Sequence, residues 1–295
     1  MPIKKAVITH PDKLYWPDEK ITKGDLIHYY ESISDYILPY LKNRPLSLKR
    51  NPNGIKDAGF YHKDAGDIAP SWMKTADVPS GSSNKIVHYL VCNDVQSLLF
   101  IANLGCIEMN PWNSVVSSMD NPDYFIMDID PSDKNTFDEV IDTANVIKGI
   151  LDKAGVEGFC KTSGASGMHI YIPCKRKYEY SEVRDFAKII ATLAHEQMPA
   201  NTTLERSLSK RKKNQIYIDY LQNSRGQTLA SAYSVRPKPG ATVSAPLEWK
   251  EVKHGLTPAE FTIQNMLKRA KKKGDLFKGV FGKGIDMKAA LKKLE

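Results

Sequence analysis

The chain has 295 residues, 41% of them hydrophobic and 26% charged, with 42 Lys and Arg against 34 Asp and Glu for a formal net charge of +8. That length supports one large core or two small ones. No apolar run approaches the roughly 18 residues of a membrane span, and the N-terminus carries no secretory leader, so a cytoplasmic protein without a membrane partner is expected.

Thr22 is placed to cap a helix running to about Leu41, with Leu26, Tyr29, Tyr30, Ile33 and Ile37 along one side. Arg44 to Arg50 reads as a strand closed by the turn Asn51-Pro52-Asn53-Gly54. Pro79 to Asn84 (PSGSSN) is the most loop-like stretch, followed by a strand from Lys85 to Leu90 and a helix from Asp94 to Leu104. Tyr124 to Asp130 (YFIMDID) alternates as a strand. Thr136 and Glu139 form a capping-box pattern for a helix to about Ala154, which Gly155 stops. Glu157 to Thr162 and Met168 to Pro173 are strands around the turn Ser163 to Gly167. Ser181 is the expected cap of a helix with Val183, Phe186, Ile189, Ile190 and Leu193 inward, and Gln215 to Leu221 is the last strand. The order β-α-β-β-α-β is that of a ferredoxin-like or RNA-recognition-type unit in an α/β (α+β) chain. Its first strand lies centrally, with the fourth and third strands as neighbours.

Basic residues cluster at Arg206 to Lys213 and at Lys268 to Lys273. The positive balance favours polyanionic partners, nucleic acid first, although a merely basic enzyme carries the same charge. Cys92, Cys106, Cys160 and Cys174 form no C-x-x-C pair and read as reduced, mostly buried residues.

Alternation along the YFIMDID strand puts Phe125, Met127 and Ile129 on one face and Asp128 and Asp130 on the other, with the two aspartates roughly 6–7 Å apart. Tyr217 and Asp219 share a face of the last strand, so Asp219 completes a carboxylate cluster if that strand lies beside the first. Such a cluster suits two divalent cations; ion pairs with Lys or Arg are the competing explanation. The turn Ser163-Gly164-Ala165-Ser166-Gly167 allows backbone amides to approach an anion, or is a plain hairpin turn. His169, in phase with Tyr171, is either a structural histidine or part of a triphosphate pocket beside Mg²⁺ or Mn²⁺.

FIMDIDP, KTSGASGMHIYIP and QIYIDYLQN together resemble the three motifs of the archaeo-eukaryotic primase superfamily. HPDKLYWPDEKITKGDLIHYY, RPLSLKRNPNGIKDAGFYHKDA, SAYSVRPKPGATVSAPLEW and EVKHGLTPAEFTIQNML extend the resemblance, from about Thr9 to Leu276, to the polymerase domain of bacterial ligase D and its stand-alone relatives. The resemblance implies one primase-polymerase domain over 1–295, with an N-terminal α/β module over about 1–115. A catalytic RNA-recognition-like core over about 116–225 and C-terminal elements over about 226–295 complete it.

The implied activity is template-directed nucleotidyl transfer, filling gaps and extending ends in non-homologous end joining, with ribonucleotides preferred. Asp128, Asp130 and Asp219 would hold two metal ions, Mn²⁺ or Mg²⁺. Ser163, Ser166, His169 and Arg236 would contact the nucleoside triphosphate, Lys49 and Arg50 would line its pocket, and Phe60 and Tyr61 would stack on base or template unless they are core aromatics. Lys13 and Lys23 would grip a downstream 5′-phosphate, unless they are simply solvated. Lys23 would sit in the first turn of a helix whose free amides point toward the anion.

DNA with gaps or phosphorylated ends is the implied partner, with a separate DNA ligase and Ku, in a nucleoid-associated, cytoplasmic setting. Two positions depart from the family pattern. Asn110 stands where E-L-H-P-W has histidine, and Ser166 replaces the lysine of S-G-x-K-G. A non-catalytic end-binding module is the rival reading.

Overall fold

A computed structural model describes residues 5–80 and 85–295, so the loop expected from Pro79 to Asn84 lies largely outside the described residues. The chain forms two compact units. The first comprises Met1–Ser117, Thr228–Ser244 and Phe261–Gly274; the second comprises Ser118–Gln227, Ala245–Glu260 and Asp275–Glu295.

In the first unit, β1 (Leu14–Trp16) and β2 (Ile21–Thr22) form a small antiparallel pair. Thr22 caps α1 (Lys23–Ser32) through a capping box with Asp25. The single helix expected to about Leu41 is instead two. Ile33, at φ −93° and ψ 2°, ends α1 and opens α2 (Ser34–Leu41). Serines on either side of Ile33 favour such a break, because their hydroxyls compete for backbone bonds. Next come β3 (Pro45–Arg50), β4 (Phe60–His62), β5 (Thr75–Pro79), β6 (Ile86–Val91), α3 (Val95–Asn103) and β7 (Cys106–Pro111). The strand order is β4-β3-β6-β5, and β7 also pairs with β3. Leu26, Ile33, Ile37, Leu46, Leu48, Leu98 and Ile101 are buried beneath the helices. The C-terminal pieces are tied in by hydroxyls. Tyr29 donates to the Tyr233 carbonyl at 2.8 Å, and the Met109 amide donates to Ser234 Oγ at 2.9 Å.

The second unit runs β8 (Tyr124–Asp130), α4 (Phe137–Ala154), β9 (Phe159–Thr162), β10 (Met168–Pro173), α5 (Tyr180–Gln197), β11 (Thr202–Thr203), β12 (Ile216–Asp219) and β13 (Pro246–Leu247). Helix α6 (Met266–Lys273) belongs to the first unit, and α7 (Met287–Leu294) returns to the second. The sheet order is β11-β12-β8-β10-β9-β13, so β8 lies centrally with β12 and β10 antiparallel beside it. Phe125, Met127 and Ile129 face the helices with Ile170 and Ile172, and Phe125 meets Phe186 of α5 edge-on at 5.8 Å.

Thr136 and Glu139 box the start of α4, and Gly155 closes it in the left-handed conformation. The cap of α5 is Glu179, boxed with Glu182, rather than Ser181. Ile189 is 39% exposed and Leu193 half-buried, so the inward face is narrower than expected, while Val183, Phe186 and Ile190 stay inside. All four cysteines are buried and free.

Candidate active site

Strand register assembles the second unit's charged side chains. Asp128 on β8 stands opposite His169 on β10 and Asp219 on β12, and His169 stands opposite Lys161 on β9. Lys161, His169, Asp128 and Asp219 thus form one row across four strands. Lys161 is fully buried, His169 3% exposed and Asp128 9%, so each must be satisfied by protein rather than water. Lys161 Nζ lies 2.7 Å from His169 Nδ1, and His169 Nε2 lies 3.4 Å from Asp128 Oδ1. Asp219 Oδ1 accepts from the Tyr217 hydroxyl at 3.0 Å and from the Leu221 amide at 2.8 Å. Just beyond, the Asn223 side chain exchanges both bonds with the Ile126 backbone, at 2.7 and 2.8 Å, and so locks the segment after β12 onto β8.

Asp130, two residues past Asp128, is opposite Tyr217 and 3.8 Å from the Arg211 guanidinium, which covers the Tyr217 ring. Burial pushes the Asp130 carboxyl above its ordinary range, Arg211 pulls it back, and the Asp219 charge raises it further. Burial likewise raises Asp219. Two carboxylates that are both held up, one partly by the other, on one sheet face form an all-oxygen donor set that fits a hard divalent cation. As they stand, no three His, Cys, Asp or Glu side chains among the described residues converge closely enough to hold one.

The β9–β10 turn abuts this row. Ser163 Oγ accepts from the Ala165 and Gly167 amides at 3.1 and 3.0 Å, so the hydroxyl organises the turn. A Cβ on Gly167 would lie 2.2 Å from the Ile129 carbonyl oxygen; only glycine lets the turn press against the end of β8. Ser166 is exposed at the turn's tip.

The remaining candidates belong to the first unit, where successive strand residues divide them between two faces. Lys49 stands opposite Tyr61 and Glu108, with its ammonium 6.0 Å from the Tyr61 ring centroid. Arg236 joins this group through an ion pair to Glu108 at 2.6 Å. Arg50 lies on the other face, 5.4 Å over the Phe60 ring and bonded to the Leu104 carbonyl at 2.9 Å. Phe60 and Tyr61 are 48% and 63% exposed, which removes the reading as core aromatics. Asn110 is buried opposite Ser47, with its amide donating to the Glu108 carbonyl at 3.4 Å.

At the start of α1, the Lys23 and Gly24 amides donate to the Lys13 and Pro11 carbonyls, and the Asp25 amide donates to Thr22 Oγ1. The free amides expected there are therefore used internally, because the segment before α1 folds back over the helix end. Any anion at this place must be met by side chains. The Lys23 ammonium donates to the Thr9 carbonyl at 2.8 Å, and Lys13 donates to Asn53 Oδ1 at 2.5 Å. Burial lowers the Lys23 pKa, and the Lys13 charge lowers it further.

Lys161, Glu108 and Arg211 were not among the candidates read from sequence. Lys161 had a local signal, a lone charge in the strand FCKT. Glu108 and Arg211 acquire meaning only through cross-strand register.

A family model described as the LigD primase-polymerase domain matches residues 22–277. The bifunctional non-homologous end joining protein LigD of Bacillus subtilis is 36% identical over 272 residues, covering 92% of this chain and 43% of the relative. The multifunctional LigD of Pseudomonas aeruginosa is 31% identical over 245 residues, covering 83% and 29%. This chain therefore spans less than half the length of these relatives. The polymerase domain of Mycobacterium tuberculosis Ligase D, solved in complex with DNA, superposes with a TM-score of 0.87 at 25% identity, covering 96% of this chain and all of that one. The chain belongs to the LigD primase-polymerase domain family, a family of nucleotidyltransferases.

Proposed function

We propose that this chain is a template-directed polymerase that fills gaps and extends ends in double-strand-break repair by non-homologous end joining, using ribonucleoside triphosphates in preference to deoxyribonucleoside triphosphates. The observation that carries the reading is the row of Asp219, Asp128 and His169 on adjacent strands, with Asp130 two residues along the same face. Three acids on one face gain nothing against a phosphate backbone unless cations lie between them.

Asp128, Asp130 and Asp219 would hold two divalent ions, Mn²⁺ or Mg²⁺. When bound, such ions would acidify the primer 3′-hydroxyl and neutralise charge on the leaving pyrophosphate. The chain's own groups do the rest. His169 directs Nε2 at the carboxylate face, and the Ser163 turn supplies small, closely packed backbone beside it. Lys49 and Arg236 are cations matched to a triphosphate, with Glu108 holding Arg236 in place. The exposed ring of Tyr61 offers a base a stacking surface. Lys13 and Lys23, close enough for one to depress the pKa of the other, suit a doubly charged 5′-phosphate.

The DNA in the M. tuberculosis complex and the end-joining names of the bacterial relatives support DNA ends as substrate; a DNA ligase and Ku are the further partners of this reading. Among the described residues no helix is long and apolar enough to cross a membrane.

Incorporation assays on gapped, 5′-phosphorylated duplexes, with and without divalent metal, test this. Metal-dependent templated incorporation, with kcat/KM higher for ribonucleotides, is expected. Tight end binding with no incorporation under any metal would favour the non-catalytic end-binding module.

A further inference from the structure

Lys161 is a fully buried lysine in a strand otherwise made of Phe159, Cys160 and Thr162. Its ammonium faces His169 Nδ1 at 2.7 Å and the Tyr171 ring at 5.4 Å from the centroid. Both contacts favour a cation: a ring face attracts one, and the imidazole nitrogen offers it a lone pair. An ammonium has three donors and no acceptor. The nitrogen facing it must therefore be the unprotonated one, which leaves the ring hydrogen on Nε2. That nitrogen points the other way, toward Asp128 Oδ1 at 3.4 Å. Which nitrogen of a histidine carries the proton is set by the bond the other makes.

We propose that Lys161 is a positioning residue that fixes His169 as the Nε2–H tautomer, with its ring plane set, so that His169 presents a donor to a phosphate oxygen of the incoming nucleotide. This rests on the polymerase reading above and deepens it by assigning the orientation of His169 to a residue that touches neither nucleotide nor metal. The register explains why lysine fits here. Lys161 is the cross-strand partner of His169 on β10, and its four-carbon stem reaches along the sheet to the inner ring nitrogen while its backbone stays in the β9–β10 ladder. With Lys161 removed, Nδ1 loses its cross-strand anchor toward β9, the ring plane is no longer held, and the Nε2 donor is no longer aimed at the phosphate.

The test has two arms. The first is the ¹⁵N signature of the His169 ring in the full chain without nucleotide or metal. The wild type is expected to show a protonated Nε2 and a hydrogen-bonded, unprotonated Nδ1. Lys161→Met, which keeps the stem and deletes the donor, should lose the hydrogen-bond shift of Nδ1, whereas Lys161→Arg, which keeps a cationic donor, should retain the wild-type pattern. The second arm is steady-state kinetics. Lys161→Met should raise the KM for the nucleoside triphosphate about tenfold, the worth of one charge-assisted bond, with little change in kcat or in DNA affinity. A wild-type ring protonated on Nδ1, or an unchanged KM in a folded Lys161→Met protein, overturns the proposal. Because the ring measurement needs no turnover and no substitution, it stands even where Lys161→Met fails to fold. It also separates failure of this assignment from failure of the polymerase reading, which would show as absent incorporation by the wild type.

Discussion

Across β9, β10, β8 and β12 the second unit aligns Lys161, His169, Asp128 and Asp219; across β4, β3 and β7 the first unit aligns Tyr61, Lys49 and Glu108, with Arg236 bonded to the last. Both rows come from residues placed opposite each other in antiparallel ladders, yet they differ in water. The second unit's row is nearly all buried; Lys161, His169 and Asp128 are linked across neighbouring strands, and Asp219 is held by Tyr217 and the Leu221 amide of its own segment. The first unit's row grades from the buried Glu108 to Tyr61, which is 63% exposed. A fixed, desolvated row suits chemistry that needs atoms held to a fraction of an ångström. A row that ends in an exposed ring suits recognition of a flat partner that must enter and leave.

The largest effect should come from breaking the buried row. Asp128→Ala should lower incorporation on the order of a thousandfold while leaving DNA affinity within about twofold, because phosphate contacts come from Lys and Arg elsewhere. Parallel kinetics and DNA-binding titrations check this, and a comparable loss in both would mean that Asp128 is structural. Next is the buried end of the other row. Glu108→Ala removes the buried ion pair with Arg236, and the unfolding free energy of the first unit should drop by about 3 kcal/mol in a denaturant titration.

At the start of α1, DNA with a downstream 5′-phosphate should bind about tenfold more tightly than the same gap with a 5′-hydroxyl. Lys13→Ala with Lys23→Ala should erase that preference and spare extension of an open primer-template. Equal weakening on both DNAs would reduce the pair to general attraction.

The smallest effect concerns an exposed pair. His254 Nε2 lies 2.7 Å from Asp142 Oδ1, and that hydrogen bond raises the histidine pKa above its ordinary 6.5. With the folded value above the unfolded one, the contribution is complete below pH 6.5 and fades as pH rises through the folded value. His254→Gln should therefore flatten a slight fall in unfolding midpoint above pH 6.5. An identical pH profile for both proteins would show that the pair contributes nothing.

What could be read in advance was local. The YFIMDID alternation, the Thr136 and Glu139 box and the Gly155 stop are written within a few residues of where they act, and each lies where expected. The α5 cap departs from expectation because Glu179-Tyr180-Ser181-Glu182 offers two acceptors within three positions, and the one that pairs reciprocally with Glu182 wins. Asp128 and Asp219 could be named from sequence because the β-α-β-β-α-β order places their strands side by side. Lys161 could not, since its value lies in facing His169 across a ladder. The amides of α1 failed expectation for a similar reason, because the acceptors at Pro11 and Lys13 come from a fold-back that helix-capping rules do not contain.

A cation-dependent polymerase site must fail when one of its carboxylates is removed. Wild-type protein and Asp219→Ala are compared for templated addition of a ribonucleotide across a single-nucleotide gap bearing a 5′-phosphate, titrated with Mn²⁺ and with Mg²⁺. Saturable, metal-dependent addition of the complementary nucleotide is expected from the wild type and none above background from Asp219→Ala. Near-normal turnover of Asp219→Ala in Mn²⁺ would contradict it.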